Sequence, residues 1–313
     1  MLRADFSRFA VLGALLLAAA AHAQTPAPAQ TSSPAAAPLP AMPAEWTTPI
    51  APFRIAGNLY YVGSKDLASY LIVTPKGDIL INSSLENSVP LIRNSVEQLG
   101  FRFKDIKILL ISHAHFDHDA GSAEILRLTG AKYMVMNGDA AVVESGGAKD
   151  FAYAKFPYPP AKVDRVLYDG DEVKIGNTVL VAHKTSGHTP GCTTWTMQVK
   201  EAGRPLNVVI VGSWNVNPGF RLIDRPGQPA SYPGIAEEYR RTFATLKSLP
   251  CDIFLGAHGS YFDMLAKLER IKAGAKEDVW IDNAGYQAAI AEREQAFQKE
   301  LKRQEAEPLS SSQ

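Results

Sequence analysis

Cysteine is nearly absent from this chain: Cys192 and Cys251 are the only two in 313 residues. Two thiols cannot staple a protein of this size, so a disulfide scaffold is excluded and a buried core must hold the fold. Pairing of the two depends on a geometry that sequence does not carry, and two free, buried thiols are the expected state. A charge excess is missing as well, since 32 lysines and arginines balance 32 aspartates and glutamates. That balance gives no electrostatic case for nucleic acid or for an anionic membrane surface, and it favours a small, neutral or weakly charged substrate. Beyond the first residues no apolar run is long enough for a membrane helix, and no repeat of solenoid period is present.

The N-terminus carries the first positive signal. Arg3 and Arg8 precede an apolar run from Phe9 to Ala21, which closes in Ala21-His22-Ala23. The run is short for a bilayer span, and A-x-A is a signal-peptidase pattern. Residues 1–23 are therefore read as an export signal, with the periplasm or the exterior as destination. The alternative is a buried N-terminal helix, but the Pro- and Ala-rich leader at 24–45 offers no periodic face to dock it. One folded domain is expected over 46–304, followed by a disordered polar tail at 305–313. Nothing in the sequence specifies an oligomeric state, and a monomer is the default.

Along that domain the hydrophobic pattern alternates between periods. Strands are expected at Leu59–Val62, Ser69–Thr74 and Asp78–Asn82, the last two joined by the turn Pro75-Lys76-Gly77-Asp78. A helix over Ser88–Leu99 shows Val89, Ile92, Val96 and Leu99 at helical spacing, with Gly100 as its stop. Ile106–Ile111 reads as a strand buried on both faces. A second helix is expected at about Ala120–Leu128, then strands at Lys132–Met136, Val166–Tyr168, Thr178–Ala182, Thr193–Gln198 and Val208–Val211. Helices at Pro233–Leu249, Tyr261–Ala273 and Asn283–Lys302 enclose a last strand at Asp252–Leu255. Interleaved elements with strands in both halves suit a layered α/β protein, two sheets packed together with helices outside.

The chemistry concentrates at strand ends. Ile106–Ile111 runs into Ser112-His113-Ala114-His115-Phe116-Asp117-His118, three imidazoles and a carboxylate within six residues. Burying such groups unpaired costs several kcal/mol. Neutral imidazole and carboxylate are ordinary zinc ligands, so a metal is the economical partner and a solvated loop the alternative. His188, in Ser186-Gly187-His188-Thr189-Pro190-Gly191, and His258, in Gly256-Ala257-His258-Gly259, each follow a strand and are flanked by glycine. With the first cluster they account for five of the seven histidines; His22 lies in the export signal, and His183, on a strand, is read as structural.

In this order and spacing, H-x-H-x-D-H, G-H-T-P-G and G-A-H resemble the metallo-β-lactamase superfamily, from about Phe53 to Leu268. The resemblance implies a four-layer αββα sandwich with a metal site at one edge between the sheets. It places His113, His115 and His188 on a first zinc, and Asp117, His118 and His258 on a second, two Zn2+ per chain. Thioesterase and lactonase branches of the superfamily carry an aspartate where this chain has Ser213, in Val211-Gly212-Ser213, and a hydroxyl is a poor zinc ligand. Subclasses B1 and B2 of the lactamases use a cysteine in this region, and none is here. The chain is most similar to subclass B3, which uses a histidine of the first cluster instead, a role His118 is placed to fill. Asn217-Pro218-Gly219 and the stretch Tyr239–Phe262 agree with B3. Three features depart from it: no cysteine follows Cys251, Phe220 stands where some members have a tyrosine, and Asn82 stands where an aspartate is often found.

The activity so implied is zinc-dependent hydrolysis of the β-lactam amide bond in penicillins, cephalosporins and carbapenems, conferring antibiotic resistance. Zinc lowers the pKa of bound water to about 7 and so provides hydroxide at neutral pH. The second zinc would take the charge developing on the lactam nitrogen, and Asp117 would orient the nucleophile and relay its proton. Ser213, Asn215 and Asn217 are candidate contacts for the substrate carboxylate, or ordinary loop residues. Lys149–Pro160, with Phe151, Tyr153, Phe156 and Tyr158, is either an apolar flap over the substrate or a packed surface loop. An exported dizinc hydrolase of a lactone, thioester or other ester is the alternative function. The two readings separate at Ser213 and His118. On the B3 reading Ser213→Ala keeps both zincs in a metal titration, while His118→Ala weakens the second site; the reverse pattern would overturn the subclass assignment.

Overall fold

Short strands in chain order build a first sheet: β1 (Phe53–Ala56), β2 (Leu59–Tyr61), β3 (Tyr70–Ile72), β4 (Asp78–Ile81), β5 (Ile106–Leu110), β6 (Lys132–Met136) and β7 (Arg165–Leu167). The computed structural model describes residues 42–275 and 277–307. The proposed export signal, all of the leader up to residue 41 and the tail from residue 308 lie outside the described residues. Strands β1 to β4 pair antiparallel, and β4 to β7 parallel. The expected β3–β4 turn is present, with Gly77 at φ 117° and the Asp78 carboxylate accepting from Thr74 N at 3.0 Å. Between the parallel strands lie α1 (Val89–Gln98), a single helical turn α2 (Phe116–Asp119), α3 (Ser122–Thr129) and α4 (Ala140–Glu144).

The second sheet follows: β8 (Glu172–Ile175), β9 (Thr178–Lys184), β10 (Thr193–Glu201), β11 (Arg204–Val211) and β12 (Ile253–Gly256), in the order β12-β11-β10-β9-β8. Ala202 and Gly203, both at positive φ, make the two-residue turn between β10 and β11. That hairpin carries β11 four residues further back than its apolar run, pairing Arg204 with Glu201. Helices α5 (Ile235–Ser248), α6 (Met264–Lys272) and α7 (Asn283–Ala306) complete the chain.

Side-chain alternation makes the layers. Ile79 and Ile81 of β4, and Ile108 and Leu110 of β5, face the core between the sheets, against Trp195, Met197, Val208 and Ile210. Leu80 and Leu109 face the other way, against Ile92 and Val96 of α1 and Ile125 of α3. The inter-sheet core continues outward to Tyr239 and Phe243 of α5 and Phe297 and Leu301 of α7. Helix, sheet, sheet, helix is the four-layer α/β sandwich expected. Cys192 and Cys251 are both buried and free. No helix among the described residues is long and apolar enough to cross a membrane.

Where expectation and structure differ, the reason is local. Strand β1 is only four residues with Arg54 exposed, and β8 buries only Val173 fully between exposed Glu172 and Lys174, so neither shows a clear apolar pattern. The helix expected over Tyr261–Ala273 is interrupted: a 3-10 turn at Gly259–Phe262 precedes α6, and Asp263 between them is left-handed at φ 52°. Helix α7 runs to Ala306, four residues past its expected end and into the first residues of the expected disordered tail. Gln304 explains the extension, because its side chain bonds both Leu222 N and Phe220 O.

The two sheets are tied at one edge. Thr193 N at the start of β10 donates to Ser112 O beyond β5, and Trp195 Nε1 donates to Ile111 O. Gly212, just past β11, is packed so closely there that a Cβ would lie 2.3 Å from Thr193 O. That neighbour is backbone and cannot swing away. Gly212→Ala should therefore lower Tm by about 4 °C or more in calorimetry, the usual cost of overpacking in a protein of this size; an unchanged Tm would contradict the close approach.

Candidate metal centre

Every histidine of the motifs sits just beyond a strand of this edge. His113 and His115 follow β5, and α2 then carries Asp117 and His118 on its single turn. His188 lies in the β9–β10 connection, where Gly187 is at φ 130° and its Cα faces the Tyr239 ring so closely that no Cβ would fit. His258 follows β12, which lies parallel beside β11. Strand ends are where parallel α/β sheets leave room for a ligand.

The side chains converge in two groups. Donor atoms of His113, His115 and His188 lie within 4.8 Å of one another, and so do those of His113, Asp117 and His118. His258 joins the second group: its Nε2 is 3.2 Å from His118 Nε2 and 3.6 Å from Asp117 Oδ2, which is itself 3.2 Å from His118 Nε2. His113 Nε2, common to both groups, is buried without a hydrogen-bond partner. A buried ring nitrogen without a partner, among other imidazoles and beside a carboxylate, belongs to a donor set that a cation satisfies.

The electrostatics keep the buried groups in their ligating form. Burial, reinforced by the neighbouring rings, pushes His113 and His115 well below the ordinary imidazole range. Burial takes His188 down to about 4 despite its hydrogen bond to Asn215 O. Burial lowers His118 too, against the opposing pull of Asp117. Burial disfavours the Asp117 carboxylate, but the imidazoles of His118 and His258 outweigh it and hold the group well below the usual carboxylate range. The result is neutral rings at His113, His115, His118 and His188 beside an ionised carboxylate.

Three aspartates that the motifs did not single out support these rings. Asp66 Oδ2 sits 2.9 Å from His258 Nδ1, and Oδ1 accepts from Ser260 N. Burial raises the Asp66 pKa, but the His258 bond and the Ser260 amide bring it down to about 2. Asp150 Oδ2 lies 3.5 Å from His115 Nε2, while Oδ1 accepts from Ala152 N and Tyr153 N. Asp139 joins two ligand loops, accepting from Ala114 N, from the Thr189 hydroxyl and from Gly191 N. Burial pushes Asp139 up to about 6, with those three bonds opposing. Their only sequence signal was an isolated carboxylate near apolar residues, which is too common to select.

A cavity of about 380 Å³ opens beside the cluster, walled by His115, Asp117, His188, His258, Tyr153 and Trp46 among others. Asn215 and Asn217 lie on that wall, but Ser213 does not: it is 1% exposed, with its hydroxyl 3.1 Å from Tyr261 Oη. Asn215 has a second task, since its carbonyl accepts from His188 Nδ1 at 2.8 Å and from Tyr239 Oη at 2.6 Å. Segment 149–160 is divided between cavity wall and packed loop. Tyr153 and Phe156 line the cavity, whereas the Tyr158 hydroxyl is buried on Ala114 O. His183 stays apart from the cluster, its Nε2 2.8 Å from the Thr196 hydroxyl.

Comparison with known proteins gives a consistent result. The model of the metallo-beta-lactamase superfamily matches residues 67–258. The native FEZ-1 metallo-beta-lactamase from Legionella gormanii is 52% identical, with a TM-score of 0.80 over 83% of this chain and 99% of that one. BJP-1, a subclass B3 metallo-beta-lactamase of Bradyrhizobium japonicum, is 37% identical, with a TM-score of 0.77 over 84% of this chain and 98% of that one. A probable metallo-hydrolase of Burkholderia pseudomallei is 28% identical over 50% of this chain, which spans 51% of that relative's length.

Asp139 provides the test of this scaffolding. Asp139→Asn replaces one acceptor oxygen by a donor, leaving an amide or hydroxyl of the two ligand loops unpaired. Affinity for added Zn2+, measured by chelator competition, should fall about 10- to 100-fold. Wild-type affinity in this variant would show that the loops hold themselves.

Proposed function

The chain belongs to the metallo-beta-lactamase superfamily, and from this premise we propose that it hydrolyses β-lactam antibiotics as a zinc-dependent lactamase of the B3 type. One observation carries the reading: His118 stands with Asp117 and His258 in the second group, whereas Ser213 turns to Tyr261. The second site thereby has its three donors without a strand-end aspartate or cysteine, the pattern that separates B3 from the other branches.

His113, His115 and His188 are assigned to one zinc, and Asp117, His118 and His258 to the other. The three nitrogen donors of the first set and the mixed N/O donors of the second are both ordinary zinc environments. Zinc bound there supplies a water that is nucleophilic at neutral pH and a Lewis acid for the lactam carbonyl. The residues do the rest. Asp117, ionised and facing both His118 and His258, orients the attacking water and accepts its proton. As the C–N bond breaks, that proton is available to the departing nitrogen, so no covalent enzyme intermediate is needed. Asn215 O holds the Nδ1 proton of His188 and thereby leaves Nε2 for the metal. Asp66 does the same for His258, and Asp150 faces the corresponding Nε2 of His115.

Asn215 and Asn217 are proposed to meet the substrate, with Ser213 acting behind them through Tyr261. Export to the periplasm rests on the sequence of residues 1–23, and resistance to β-lactams would be its consequence. The lactone and thioester reading survives only if the second site works without His118. Purified enzyme should contain about two zinc ions per chain and hydrolyse a carbapenem, and prolonged chelation should abolish turnover until zinc is restored. Faster turnover of an acyl-homoserine lactone than of the carbapenem, or full activity with trace metal only, would refute the assignment.

A further inference from the structure

A second cavity, of about 530 Å³, lies between residues 214–219 of the loop after β11 and one stripe of α7. Its apolar wall includes Trp214, Val216, Pro218 and Phe297, and its charged wall Arg293 and Arg303. The catalytic cavity, by contrast, has no lysine or arginine on its wall among the described residues. We propose that this second cavity binds a small organic carboxylate with an apolar body, and that its occupancy acts on the metal centre through the loop.

The two arginines differ. Arg303 is already engaged, paired with Glu300 at 2.6 Å and with Glu307. Arg293 has only its chain neighbour Glu292, at 3.5 Å, among the described residues, and that side chain is 71% exposed. Such a pair contributes little, so the guanidinium is open to a better partner. Its charge reaches the Tyr261 hydroxyl, where it opposes the upward push of burial. Tyr261 Oη in turn accepts from Asn215 Nδ2 at 3.0 Å, so Arg293 stands close to the loop. A planar guanidinium suits a carboxylate, two N–H donors to two oxygens. Trp214 and Phe297 are almost wholly buried and offer their rings to the apolar body. Trp214 Nε1 is also buried without a hydrogen-bond partner, so a polar atom of the ligand at that wall displaces no existing bond. The volume is that of ordinary small-molecule sites.

The loop connects this cavity to the metal centre, because Asn215 and Asn217 belong to the walls of both cavities. Asn215 O holds His188 Nδ1, and Asn217 Nδ2 holds Tyr153 Oη, whose ring packs on His115. A ligand against Val216 and Pro218 bears on the backbone between and beside those two residues. Any arrangement of the loop that it favours is passed to His188 and His115, and the coupling is reciprocal.

The probe is 4-phenylbutyrate, titrated calorimetrically into zinc-loaded protein. Ala296 is exposed on the α7 wall and lies outside the metal centre, so Ala296→Trp fills the cavity from the solvent side. Wild type should show a saturable site that Arg293→Gln weakens about tenfold, the loss of a hydrogen-bonded charge partner, and that Ala296→Trp abolishes. No saturable binding, or equal affinity in all three proteins, overturns the site. Saturating probe should also shift Zn2+ affinity in chelator competition about fivefold in wild type, and leave Ala296→Trp unchanged. No shift in wild type, or the same shift in Ala296→Trp, overturns the coupling. Neither measurement needs lactam turnover, so both judge this inference apart from the function proposed above.

Discussion

Five histidines and an aspartate are gathered at one edge of this molecule, and the rest of the site sets their direction and buries most of them. Burial is what makes the arrangement possible. It keeps the rings of His113, His115, His118 and His188 neutral, since a charged imidazole could not remain there unpaired. It also makes ring nitrogens such as His113 Nε2 costly to leave without a partner. A cation resolves both difficulties at once, so the core that stabilises the fold also prepares its metal centre.

Direction comes from a ring of hydrogen bonds behind the donors. Asn215 O, Asp66 and Asp150 each face the outer nitrogen of a different histidine. Asp139 joins the loop of His113 and His115 to the loop of His188 through three bonds. Tyr239 serves twice, with its ring under Gly187 and its hydroxyl on Asn215 O. The cavity wall and the candidate metal ligands are therefore built from the same loops. Asn215 and Asn217 wall the cavity and themselves hold His188 and Tyr153.

Much of the fold was legible because its signals are local. Two-faced burial of Ile79–Ile81 and Ile108–Leu110 produces nearly unbroken apolar runs, and the β3–β4 turn announces itself through Pro75 and Gly77. Elements stabilised from a distance were not legible. Strand β8 owes its place to pairing with β9, the long β11 to its hairpin with β10, and the last turn of α7 to Gln304. The break at Asp263 reflects the path the chain must take beyond His258, for which no residue pattern exists.

Sequence alone marks out the side chains proposed to carry the chemistry, because imidazoles crowded after an apolar strand have few uses other than a metal. It also points to subclass B3, to which the chain is similar, since Ser213 is a poor replacement for an aspartate or cysteine ligand and His118 is at hand. What orients those candidate ligands, and what walls the cavity beside them, depends on contacts that folding alone creates. Asp66 is 192 residues from His258, and Tyr153 is 64 residues from Asn217. Contacts between groups so far apart in the chain arise from sheet packing and loop closure, and they leave no periodicity or motif at either partner.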